Sequence, residues 1–142
     1  MGSGRYRRVV EPEDLMAPTP RPIELHLPAD PHLLRVARVT VASVAASLPF
    51  TIQDIEDLRI AVDELAALAI DGCTSEATLE LQIAADEVRF TVHGRVRGAG
   101  PLPALHPVAA ELLAMVVVDH EVGNEGDDRT FRFTKQAQVH AS

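Results

Sequence analysis

The chain has one cysteine, Cys73, no tryptophan, and aromatic residues make up only 4% of it. A single thiol excludes an internal disulfide and any cysteine-based zinc site. No Cys–His spacing marks Cys73 as a nucleophile, and a small thiol packed at the end of a helix accounts for it. With so few aromatics there is little from which to build a base-stacking platform or a sugar-binding cleft. Positive charge is also short: 13 Lys and Arg stand against 21 Asp and Glu, for a net charge of −8. Such a chain lacks the basic face that phosphate neutralisation requires, so direct nucleic-acid binding is not expected. An acidic surface does suit a basic protein partner. No apolar run approaches the roughly 18 residues of a membrane span. Met1–Arg8 is charged but no apolar stretch follows it, so no secretory signal is expected and a cytoplasmic location is the default.

What is present describes one globular domain. A length of 142 residues with 46% apolar content supports a single real core and no more. Pro12, Pro18, Pro20 and Pro22 punctuate residues 1–22, which read as a flexible N-terminal arm because proline fixes φ and removes donors. Residues 23–135 form the expected domain, and 136–142 read as a frayed tail.

Within the domain, Ile23–Leu27 alternates with period two and predicts a strand. Asp30 before Pro31 is a good N-cap for a helix running to about Ser47, with its apolar stripe at Leu34, Ala37, Val41, Val44 and Leu48. Thr51 and Asp54 have the capping-box spacing for a second helix that stops at Asp71-Gly72. Its predicted core stripe is Ile55, Leu58, Val62, Leu65 and Ala69. The opposite side carries Gln53, Asp57, Ile60, Glu64, Leu68 and Asp71. Ala77–Ala84 and Glu87–His93 alternate and predict a hairpin turning at Ala85-Asp86. A Gly/Pro-rich loop from Gly94 to Pro103 leads to a third helix near Pro107–Val118. A last hairpin pairs Asp119–Val122 with Arg129–Thr134 around Gly123–Asp128. The order β-α-α-β-β-α-β-β implies an α+β two-layer sandwich, a mainly antiparallel sheet with helices on one face.

This order, together with the run Asp57-Leu58-Arg59-Ile60-Ala61-Val62-Asp63-Glu64-Leu65, resembles the GHKL ATPases of the Bergerat, or histidine-kinase-like, fold. More narrowly it is similar to the anti-sigma factor / serine-protein kinase family in its actinobacterial branch. The resemblance covers about residues 23–135. It implies that Glu64 holds the position of the catalytic base for phosphoryl transfer. The asparagine that binds Mg²⁺ four residues later in the family falls at Leu68, which has no oxygen for a hard cation. The family's Asp-x-Gly-x-Gly box, whose aspartate bonds the adenine amino group, matches Val96-Arg97-Gly98-Ala99-Gly100. The glycines are kept and the acceptor is not. Where glycines should cradle phosphates before the third helix, the chain has Pro101, Pro103 and Pro107.

Leu68, Val96, Gly98 and Gly100 therefore mark a degenerate nucleotide site, no cofactor is expected, and ATP and Mg²⁺ enter only if that site is still active. Phosphoryl transfer without charge neutralisation is the least favoured role for Glu64, which reads as a relic. The resemblance also implies a sigma factor or an anti-sigma antagonist as partner, a homodimer, and partner contacts from the first helix, where Arg35 and Arg38 lie off the apolar stripe. The leading expectation is an anti-sigma-factor-like regulator that sequesters its target without kinase activity. The alternatives are an active ATP-dependent serine-protein kinase and a sensor for a small apolar ligand. The six histidines (His26, His32, His93, His106, His120 and His140) are scattered without metal-ligand spacing, and no metal site is expected.

Overall fold

The computed structural model describes residues 21–138. Strand β1 (Ile23–Pro28) is followed by a 3₁₀ turn (Pro31–Leu33), helix α1 (Leu34–Ala46) and helix α2 (Ile52–Ile70). Strands β2 (Thr78–Ala85) and β3 (Arg89–Val96) form a hairpin, and helix α3 (Pro107–Val116) leads to the closing hairpin of β4 (Asp119–Glu125) and β5 (Asp128–Gln136). The five strands make one antiparallel sheet in the order β1-β2-β3-β5-β4. The helices lie on one face, with α2 packed on β3 and β5 and flanked by α1 and α3. This is the two-layer α+β sandwich that the element order implied.

Local chemistry starts the helices as expected. Asp30 Oδ1 accepts from the His32 backbone N–H at 2.9 Å, and Pro31 follows at a position that needs no donor. At α2 the capping box is complete. Thr51 Oγ1 accepts from Asp54 N–H and Asp54 Oδ2 accepts from Thr51 N–H, each at 3.0 Å. The core gathers Leu58, Val62 and Leu65 of α2 with Phe90 and Val92 of β3, Phe131 and Phe133 of β5, and Leu113 of α3. Gly94 of β3 pairs in register with Phe131, whose ring lies where a Cβ at position 94 would project.

Four expectations shift. The first hairpin turns later than Ala85-Asp86: Asp86 Oδ1 accepts from Val88 and Arg89 N–H, both at 2.8 Å, and this side-chain turn moves β3 two residues on. Strand β3 consequently runs through Val96 rather than ending at His93. The last hairpin is longer than predicted, pairing Glu125 with Asp128 across a two-residue turn in which Gly126 has φ 61°.

The third difference concerns α2. Asp57 belongs to its buried side, not to the opposite one, and Ile55 is only half-buried. The reason is Lys135, whose Nζ lies 2.8 Å from Asp57 Oδ2 and 3.6 Å from Asp54 Oδ1. All three side chains are buried. Chain beyond Lys135 is also held: Ala137 N–H donates to Val88 O, and Gln138 N–H donates to Asp54 Oδ2 at 3.2 Å. The frayed-tail reading therefore fails for residues 136–138, while 139–142, like residues 1–20 of the arm expected at 1–22, lie outside the described residues.

A buried ion pair that loses one partner strands the other charge in a medium that solvates it poorly. Lys135→Met is therefore expected to cost about 3–5 kcal/mol in urea unfolding; a loss below 1 kcal/mol would show that the carboxylates do not depend on it. Burial pushes the Asp54 carboxyl up, but the Thr51 and Gln138 amides, the Thr51 hydroxyl and Lys135 more than offset this, leaving it below its ordinary 3.8. A depressed carboxyl stabilises the fold above its unfolded value and loses that contribution as pH falls through the folded one. The urea midpoint should drop steeply below about pH 4, and Asp54→Asn should flatten that limb; an unchanged limb would contradict the assignment.

Candidate functional site

The face of α2 that the sequence singled out is half-buried. Ile60, Glu64 and Leu68 follow one another at helical spacing along the margin of its buried stripe. Glu64 forms no hydrogen bond or ion pair among the described residues. Asp63, one position before it, accepts from Arg38 Nη1 of α1 at 2.6 Å. Of the two arginines expected to contact a partner, Arg38 is thus committed within the fold, and Arg35 is exposed.

Val96 sits at the end of β3 with no solvent exposure, a full member of the core. The loop beyond it keeps Gly98 and Gly100 at φ 64° and 78°, conformations that favour glycine. Their amides point back into the protein. Gly98 N–H donates to Asp128 Oδ1 at 2.8 Å, and Gly100 N–H donates to Asp127 O at 2.9 Å. Leu102 N–H donates to Asn124 Oδ1 at 3.1 Å, and Asn124 Nδ2 returns a bond to Gly100 O at 2.9 Å. The β4–β5 hairpin therefore uses the loop donors that an anionic ligand would otherwise find. Gly98 N–H and the Arg95 guanidinium also hold the Asp128 carboxyl below its usual range.

Arg129 of β5 was not anticipated. It is buried and pairs in register with Val96 on one side and Asn124 on the other. Its Nη1 donates to Ala69 O at 3.0 Å and Asp71 O at 2.7 Å, and its Nε donates to Gly100 O at 3.4 Å. No basic residue lies in the last turn of α2, and Arg129 supplies that charge from the sheet. A signal for it existed. The alternation Arg129, Phe131, Phe133, Lys135 puts both cations on the face of the two phenylalanines, so both were bound to point inward.

The donor set can be compared with what ATP and Mg²⁺ need. At position 68 there is a side chain without oxygen, at 96 a buried valine without an acceptor, and the glycine-loop amides are engaged. Among the described residues no group of three or more His, Cys, Asp or Glu side chains is arranged to hold a metal ion. The residues present do not fit the group. Two clefts of about 330 and 280 Å³ open on the sheet face away from the helices, and neither is lined by Glu64, Leu68 or any other residue of α2.

The fold is a histidine-kinase-like two-layer sandwich. Its relatives make the class narrower. The chain is similar to serine-protein kinases named RsbW: it is 30% identical over 100 residues to RsbW of Bacillus licheniformis, an alignment covering 61% of this chain and 62% of that protein. It is 42% identical over 48 residues to RsbW of Bacillus velezensis, covering 34% and 30% of the two chains. The chain thus spans less than two thirds of the length of the curated relatives it matches. No family model matches it. Among solved structures it is similar to the crystal structure of the RsbU and RsbW domains of a Mycobacterium tuberculosis protein, with a TM-score of 0.63, 19% identity, and coverage of 87% of this chain and 34% of that one. At that identity the likeness establishes the fold alone. No helix among the described residues is long and apolar enough to cross a membrane.

Asn124 is exposed, yet its side-chain amide joins Leu102, Gly100 and Asp128 in one network. Asn124→Ala is expected to cost about 1 kcal/mol in urea unfolding with an unchanged m value. A neutral result would mean that the hairpin does not hold the loop.

Proposed function

We propose that the protein is an anti-sigma-factor-like regulator in a partner-switching system, capturing a sigma factor or an anti-sigma antagonist by protein–protein contact without phosphorylating it. The RsbW relatives support the coarser part of this reading, a role in the circuitry of serine-protein kinases and their partners. The observation that carries the finer part is the engagement of the Gly98, Gly100 and Leu102 amides by Asp128, Asp127 and Asn124. A phosphoryl-transfer site works by positioning and by neutralising charge, and needs such donors and a metal. An acidic surface with the exposed Arg35 on α1 fits a partner of mixed charge, and the proposal includes a homodimer acting in the cytoplasm.

A second reading, an active ATP-dependent serine-protein kinase, is favoured by the name of the relatives and by the retention of Glu64 at the base position. The two readings separate in one reaction. The protein is mixed with radiolabelled MgATP and the proteins that co-purify with it from its native host. The proposal expects a stable complex with a sigma factor or antagonist and no label on any partner. Label transferred to a partner serine, and abolished by Glu64→Gln, would overturn it in favour of the kinase.

A further inference from the structure

Large apolar side chains left exposed are unevenly spread over the surface. Among the described residues Val39 and Val108 stand apart, whereas Ile23, Ile52, Val88, Met115 and Val118 share one end of the molecule. The strand register defines that end. Strand β1 begins there at Ile23, and β2 and β3 turn there through Val88. Strand β4 starts there after Val118, whose N–H donates to Thr134 O near the end of β5. Helix α2 begins at the same end, because Lys135 and the Gln138 amide reach Asp54, two residues after Ile52. Met115 lies in the last turn of α3, which leads into β4. Apolar side chains scattered singly need no explanation, but five at one end of a small domain do. The turn that carries Val88 also presents two exposed carboxylates, Asp86 and Glu87, against one cation, Arg89.

The chain enters the described body at this same end. Arg21 stands two residues before Ile23, and residues 1–20 precede it. They include the run Arg5-Tyr6-Arg7-Arg8-Val9-Val10, three cations beside three apolar side chains. From Val10 to Arg21 the chain can extend about 36 Å. The sheet is only about 19 Å across, four strand spacings, so the run can reach any point on that end. A second copy is the rival occupant, and tethering decides against it. A segment on a short tether is held at about millimolar effective concentration, far above that of a free copy in dilute solution. We propose that residues 5–10 dock on this end of the sandwich, with Tyr6, Val9 and Val10 covering its apolar side chains and the arginines facing Asp86 and Glu87. Any protein partner seated on this end must first displace the segment.

Limited trypsin digestion of the full chain tests the docking. Cleavage after Arg7 and Arg8 needs the segment free, and its rate follows the undocked fraction when docking is fast. A dissociation constant of about 100 μM against a millimolar effective concentration leaves about one tenth undocked. Ile52→Ser combined with Val88→Ser, at two exposed positions outside the cleaved sequence, should therefore speed that cleavage about tenfold. Val39→Ser, away from this end, should leave the rate unchanged. Equal rates in the native chain and the double variant, or the same acceleration by Val39→Ser, would overturn the docking. Protection that disappears on dilution would overturn it as well, since it would belong to a second copy. If the double variant does not fold, methyl NMR of the native chain decides. Cross-peaks from Val9 or Val10 to Ile52 or Val88 are expected, and their absence would contradict the contact.

Discussion

Strand β5 holds helix α2 at both ends through two buried cations. At the start of the helix Lys135 lies between Asp54 and Asp57, and at its end Arg129 binds the carbonyls of Ala69 and Asp71. Five residues of strand lie between the two cations, about 20 Å of extended chain from one to the other. The helix segment from Asp54 to Ala69 spans a comparable distance of about 22 Å at 1.5 Å per residue. The match makes the helix run antiparallel to the strand in a fixed register. Charge is placed as the helix dipole requires: carboxylates in the first turns, a cation at the carbonyl end. Phe131 and Phe133 fill the interval between the cations with apolar contact.

This clamp is built without any ligand. The position of α2 depends on its caps, its apolar stripe and the two cations of β5, none of which needs a ligand. Arg129 extends the clamp into the glycine loop through Gly100 O, and Asn124 and Asp128 from the same hairpin complete the hold. The loop is part of the folded body. Glu64 lies half-buried at the margin of the helix, where a carboxylate touching solvent costs the fold little.

Much of the architecture was legible because local signals carried it. Thr51 and Asp54 declare a helix start in four residues, and Gly72 beyond Ile70 declares its end, at φ 76°. The alternation of β2 and β3 sets their faces, although the side chain of Asp86 moved the turn and drew Val96 into the sheet. The candidate site was half legible. Missing chemistry at Leu68 and Val96 is visible in the sequence, since absence of an oxygen needs no coordinates. The contacts of Arg129 and Lys135 are not, because these side chains act on residues about 60 and 80 positions earlier in the chain. Asp57 was assigned to the wrong side of the helix for the same reason: a carboxylate on a buried stripe makes sense only once its distant lysine is known.

Hydrogen–deuterium exchange at Gly98, Gly100 and Leu102, measured with and without millimolar MgATP, tests most directly whether the protein has closed its own nucleotide site. The account predicts that these amides exchange slowly in the free protein, because Asp128, Asp127 and Asn124 hold them, and that nucleotide changes nothing. Amides that exchange fast in the free protein and become protected when MgATP is added would contradict it.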